Sequence, residues 1–95
     1  MSISATVTRT FERAEGAESL VRDVELAIAP FPGLHVDYGD GTGEGMVAHV
    51  WIRLRGWSPG LHPPAVTVRM IPEPAEALES ARAGGWRDVA PVGSA

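Results

Sequence analysis

Residues 2–11 alternate without a break. Ile3, Ala5, Val7 and Phe11 fall on one side of an extended chain, and Ser4, Thr6, Thr8 and Thr10 on the other. Successive side chains of a strand point to opposite faces, so a period of two with β-branched residues means a strand half buried against a core. Any fold open to this chain must therefore supply a sheet and a cover for one of its faces. Arg9 is the single charge on the apolar side, and near the strand end its stem can snorkel.

The rest of the chain reads as alternating elements. Ala14, Ala17, Val21, Val24 and Ile28 recur at helical spacing, with Leu20 and Ala27 widening the stripe, which predicts a helix over 14–29. Glu15 and Glu18 suit its positive end, and Pro30 and Pro32 stop it. A short strand, 34–38, and a long one, 46–55, flank the run Gly39-Asp40-Gly41-Thr42-Gly43-Glu44-Gly45, which reads as a hairpin with a flexible tip. A Pro-rich loop, 56–64, leads to a last strand, 65–71. Pro72 and Pro74 open a second helix to about residue 83, closed by Gly84-Gly85.

These elements predict a single α+β domain over 1–85, with a loosely ordered tail, 86–95, in which Trp86 alone docks. Its order is β-α-β-β-β-α: one four-stranded, mainly antiparallel sheet with helices on one face. By parity the core face holds Ile3, Ala5, Val7, Leu34, Val36, Tyr38, Met46, Ala48, Val50, Ile52, Leu54, Val66, Val68 and Met70.

Composition removes several kinds of chemistry. The 95 residues contain no Cys, so there is no disulfide, thiolate nucleophile or cysteine metal site. All eight basic residues are Arg; without Lys there is neither a Schiff base nor a phosphate-binding lysine. No apolar run reaches the 18 or so residues a membrane helix needs, and the N-terminus does not read as a secretory signal, so a cytoplasmic location is the expectation. The net charge is −4. Five acids against two arginines give −3 over 12–29, and three Glu against one Arg give −2 over 73–83. Three Arg against Asp37 leave +2 on the open sheet face. A molecule acidic over its helices and basic over its sheet is expected.

That open face carries the candidate site: His49, Trp51, Arg53, Arg55 and Arg69, with Trp57 in the following loop. Trp and Arg are the residues enriched at interface hot spots, and Trp51 lies close enough to Arg69 across the strands for a cation–π stack. A symmetric hairpin about Thr42 would also set His35 opposite His49 with Asp37 beside them, a trio suited to a transition metal or acid–base work.

Other motifs lose their context. Gly56-Trp57-Ser58-Pro59-Gly60 has the letters of a nucleophile elbow, but Pro-Gly-Leu-His-Pro-Pro follows where a helix is required. Asp40-Gly41-Thr42-Gly43-Glu44-Gly45 begins like a calcium loop, yet position twelve is Trp51; a weak cation site from Asp37, Asp40, Thr42 and Glu44 is the most it offers. The negative total charge and three face arginines argue against nucleic acid. The reading that emerges is a non-enzymatic interaction or oligomerisation module without cofactor or metal, an accessory or regulatory subunit binding a protein partner or itself as a homodimer. The alternatives are a small nucleic-acid binder on the Arg/Trp face and a minimal metal or acid–base site at His35, Asp37 and His49.

Overall fold

The computed structural model describes residues 3–53 and 65–88. Its first element is the predicted strand, β1 (Ile3–Arg13), but the expected helix over 14–29 is a second strand, β2 (Gly16–Leu26), paired antiparallel with β1 along its whole length. Gly16 is the reason. It takes φ +120°, a conformation side-chain-bearing residues rarely adopt, and so completes a tight turn around Ala14 and Glu15. In a helix the same glycine would cost about 1 kcal/mol relative to alanine. β2 has a period of two: Leu20, Arg22, Val24 and Leu26 share one face, with Ala5 paired to Val24 and Ile3 to Leu26.

Five more strands follow: β3 (His35–Asp37), β4 (Glu44–Arg53), β5 (Ala65–Met70), β6 (Glu73–Pro74) and β7 (Arg87–Asp88). The sheet order is β3-β4-β5-β1-β2-β7, with β5 parallel to β1 and the other pairs on this path antiparallel. β6 resumes the parallel track beside β1, setting Glu73 opposite Phe11. The architecture is therefore mostly β, a seven-stranded mixed sheet, which replaces the expected four-stranded antiparallel one with several helices. The second predicted helix shrinks to a 3₁₀ turn (Ala75–Ala77) and one short helix, α1 (Leu78–Ala83), because β6 claims its first residues.

One face of the sheet is covered. Phe11, Leu20, Val47, Val68 and Met70 pack with Leu78, Ala81 and Trp86, and burying each large apolar side chain contributes about 1.5–3 kcal/mol. Within β4 the phase differs from the parity reading. A bulge between Val47 and His49 sends Val47, opposite Met70, into the core, while Met46 is exposed and Ala48 only half buried. A single extra residue flips every later side chain to the other face, so beyond the bulge Val50 and Ile52 do take the predicted side.

No described helix is long and apolar enough to cross a membrane.

Candidate functional site

The bulge that displaces Val47 also aims His49 and Trp51 outward. On the open face β4 pairs His49 with Arg69 and Trp51 with Thr67, and β5 continues the same rows into Thr8 and Thr6 of β1. The His49 and Trp51 rings stack at 5.6 Å with 22° between their planes. The Arg69 guanidinium carbon lies 5.3 Å from the Trp51 ring centroid, so the expected cation–π contact forms. Trp51 nevertheless keeps 47% of its surface exposed. Arg53 follows at the end of β4, paired with Ala65. Arg55 and Trp57 lie outside the described residues, as does the Gly56–Gly60 motif.

The far side of the same face is acidic, which the helix reading had hidden. Thr6 pairs with Asp23 and Ser4 with Glu25, so β2 brings two carboxylates onto the face expected to carry a net +2. The Ser4 hydroxyl donates to Glu25 at 2.6 Å, and the Thr6 hydroxyl to Asp23 at 2.9 Å. Arg87 reaches Asp23 from β7 at 3.1 Å. The Thr6 hydrogen bond first, then the Arg87 bond and charge, hold the Asp23 carboxyl below its ordinary value. The expected division of charge between helices and sheet is thus replaced by both signs on one face: Arg69 beside the aromatic rings at β4–β5, and Asp23 and Glu25 with Arg87 at β2 and β7.

His35 and His49 do not face each other. β3 pairs His35 with Met46 and Asp37 with Glu44, three positions short of His49 along β4. Among the described residues no group of three or more His, Asp or Glu is placed to hold a metal ion. The Asp40–Glu44 run is not an open cation loop either, because the Asp40 carboxylate is taken up by donors of the chain itself. It accepts from the Thr42 amide (2.9 Å), the Thr42 hydroxyl (2.6 Å), Trp86 Nε1 (2.9 Å) and Arg22 Nη1 (2.6 Å).

These bonds belong to a cluster that sequence reasoning missed. Arg9 does not snorkel: its side chain is 0% exposed. Nε and Nη2 form a bidentate pair with Glu73 at 2.8 and 2.7 Å, and Nη1 donates to the Thr42 hydroxyl at 2.8 Å. Its guanidinium carbon sits 4.1 Å from the Tyr38 ring centroid and 4.8 Å from that of Trp86. A relay therefore runs from Arg9 through the Thr42 hydroxyl to Asp40, and from Asp40 to Arg22 and Trp86. Burial pushes the Asp40 carboxyl up, but the Thr42, Trp86 and Arg22 contacts outweigh it and hold the group below its usual range. Burial also pushes the phenol of Tyr38 up to about 12, reinforced by the Glu73 charge. With its charged groups engaged on one another, the cluster clamps the β3–β4 loop over the core.

The signal that could have found it was Arg9 itself, a charge on the apolar face of an otherwise regular strand, repeated by Arg22 on the core face of β2. A buried guanidinium requires a carboxylate and further acceptors, and the glycine loop supplies Asp40 and Thr42. No protein-family model matches the chain, and no curated protein or solved structure resembles it significantly.

Proposed function

We propose that this chain is a small interaction module, without catalytic chemistry of its own, that binds a protein surface through the open face of its sheet. The observation that carries this reading is the His49–Trp51–Arg69 stack, held on neighbouring strands inside the sheet with Trp51 still half exposed. Tryptophan and arginine on a rigid backbone lose little conformational entropy on docking and dominate interface energies, so their side-by-side display suits recognition. The residues that make the core polar are committed to the Arg9 cluster, and among the described residues no three His, Asp or Glu side chains gather into a group that could hold a metal ion. The carboxylates of β2 on the same face oppose a nucleic-acid backbone.

The test is Trp51→Ala combined with Arg53→Glu, two alternate positions at the end of β4. Association, read as particle mass or as capture of a bound protein, should fall with the melting temperature nearly unchanged. Unaltered association would end this reading.

A further inference from the structure

We infer that the β4–β5 half of the open face takes an extended segment of another protein in which one carboxylate side chain stands between two apolar ones, with Arg69 receiving the carboxylate. This rests on the proposed binding role of the face and names the chemistry of its partner. Arg69 is an unspent cation. Arg9, Arg13, Arg22, Arg82 and Arg87 each hold a carboxylate of the chain itself. Arg69 is exposed and, among the described residues, pairs with no carboxylate; its guanidinium rests on the Trp51 ring instead. Residues 1–2, 54–64 and 89–95, outside those described, contain no Asp or Glu to supply one.

The two carboxylates on the same face do not neutralise it. Counted from Thr8, the β1 neighbour of Arg69, Asp23 is two residues along and one strand further, and Glu25 is four residues along. With about 4.8 Å between strands and about 3.3 Å per residue, their backbones lie about 12 and 16 Å from that of Arg69. Both distances exceed the screening length of about 8–10 Å, and Asp23 is already paired with Arg87. The Arg69 guanidinium also leans the other way, toward Trp51 on β4.

Apolar side chains flank this cation in both directions along the strands. Met46 and Ile71 each adjoin a core residue, Val47 and Met70, and so turn to the opposite face. The Ile71 amide donates to the Met46 carbonyl at 2.8 Å, which sets the two side by side, 38% and 45% exposed. Trp51 stands on the other side of Arg69, level with Thr67. Ile71, Arg69 and Thr67 are alternate residues, so the order is apolar, cationic, apolar at intervals of about 6.6 Å.

An extended partner displays alternate side chains on one face at that same interval. A carboxylate with apolar residues two positions before and two after it therefore meets all three features at once. A guanidinium laid against an indole keeps its N–H edge open for a two-pronged bond to a carboxylate, and the indole offers a broad apolar wall to the neighbouring side chain.

Titration of the intact, isotope-labelled protein with the capped peptide TLTETLT, followed through amide chemical shifts, tests this. The signals of His49, Trp51, Arg69 and Ile71 should move together with the Trp51 indole N–H. Replacing the peptide's Glu by Gln should weaken binding at least fivefold, and Arg69→Glu should weaken it at least tenfold, with circular dichroism confirming that the variant is folded. The peptide TLTRTLT should bind the Arg69→Glu protein better than the wild type. No saturable shift with TLTETLT, equal affinity for the Gln peptide, or indifference to Arg69→Glu overturns the inference. So does an oligo-dT strand that moves the same signals at lower concentration than the peptide, which would make a phosphate backbone the ligand. If TLTETLT fails while Trp51→Ala combined with Arg53→Glu still lowers association, the binding face stands and only the carboxylate-bearing segment as its occupant falls.

Discussion

Replacing Arg9 by methionine keeps most of the stem's volume and removes the charge. Glu73, whose side chain is only 14% exposed, is then left near Tyr38 without the cation that neutralises it. Breaking a buried pair by deleting one partner costs about 3–5 kcal/mol, most of it the penalty of stranding the other charge. Thr42 also loses its donor, which adds to the loosening of the β3–β4 loop. A domain of this length has a total stability of about 5–14 kcal/mol, so Arg9→Met should remove about a fifth or more of it. The melting temperature should drop by roughly 12 °C or more, at about 4–8 °C per kcal/mol for a small domain. Glu73→Leu should be comparably damaging. The double variant R9M/E73L removes both charges and should lose much less than the two singles combined, because neither charge is stranded. Urea unfolding of the four proteins gives this cycle directly. If Arg9→Met costs less than about 1 kcal/mol, or the two losses simply add, the bidentate pair is not what holds this end of the fold.

The same cluster makes predictions at both ends of the pH scale. Tyr38 is the sole tyrosine, so its tyrosinate absorbance should titrate near 12 in the folded protein and near 10 after unfolding. Because its folded value is raised, the corresponding stability is present below pH ~10 and lost as pH rises toward 12. Asp40 behaves oppositely. Its folded value is depressed, so its contribution is full above the ordinary carboxylate range of about 4 and disappears as pH falls through the folded value. Near-ultraviolet circular dichroism of the Trp86 surroundings should follow this acid loss, and Asp40→Asn should be less stable at neutral pH with a flatter acid limb. Gly84→Ala drives a Cβ into Thr42 Cγ2 and should cost about 1–3 kcal/mol by thermal unfolding; an unchanged melting temperature would show that the loop yields freely.

How far the fold was readable depended on whether a residue's environment was local. β1 was legible throughout, since its alternation is strict and its charge sits at one position. β2 was not, because Arg22 interrupts its apolar face and Val21, on the other face, completes a false helical stripe with Ala17 and Val24. Gly16 marked the turn, yet a glycine in a first helical turn is only a mild penalty, and the apolar pattern outweighed it. The β4 bulge leaves no trace in composition, so Val47 and Met46 exchanged roles while the later pairing of Val50 and Ile52 stood. The error over His35 and His49 comes from the turn, for the pairs His35–Met46, Val36–Gly45 and Asp37–Glu44 centre the hairpin between Asp40 and Gly41, not on Thr42, and so move every partner.

The candidate site divides along the same line. Trp51 and Arg69 were placed together correctly because adjacent strands with a shared face need only parity after the bulge. The acidic half of that face could not be seen, since it required β2 to be a strand. Once it is one, Asp23 and Glu25 leave the imagined helix and join the face that carries Trp51 and Arg69. A correction to secondary structure thereby changes an electrostatic conclusion, from a net basic face to one on which Asp23 and Glu25 offset the arginines. The distinction has a physical consequence for recognition. A uniformly basic face selects acidic partners, whereas this one sets Asp23, paired with Arg87, and Glu25 on the same surface as Arg69 and so presents both signs. The two arginines that spoiled the apolar patterns, Arg9 and Arg22, meanwhile hold the β3–β4 loop on the opposite side of the sheet. The sheet's two faces thus use arginine differently: on one, Arg9 is buried and fully engaged and Arg22 is tied to Asp40, while on the other Arg69 stands exposed beside Trp51.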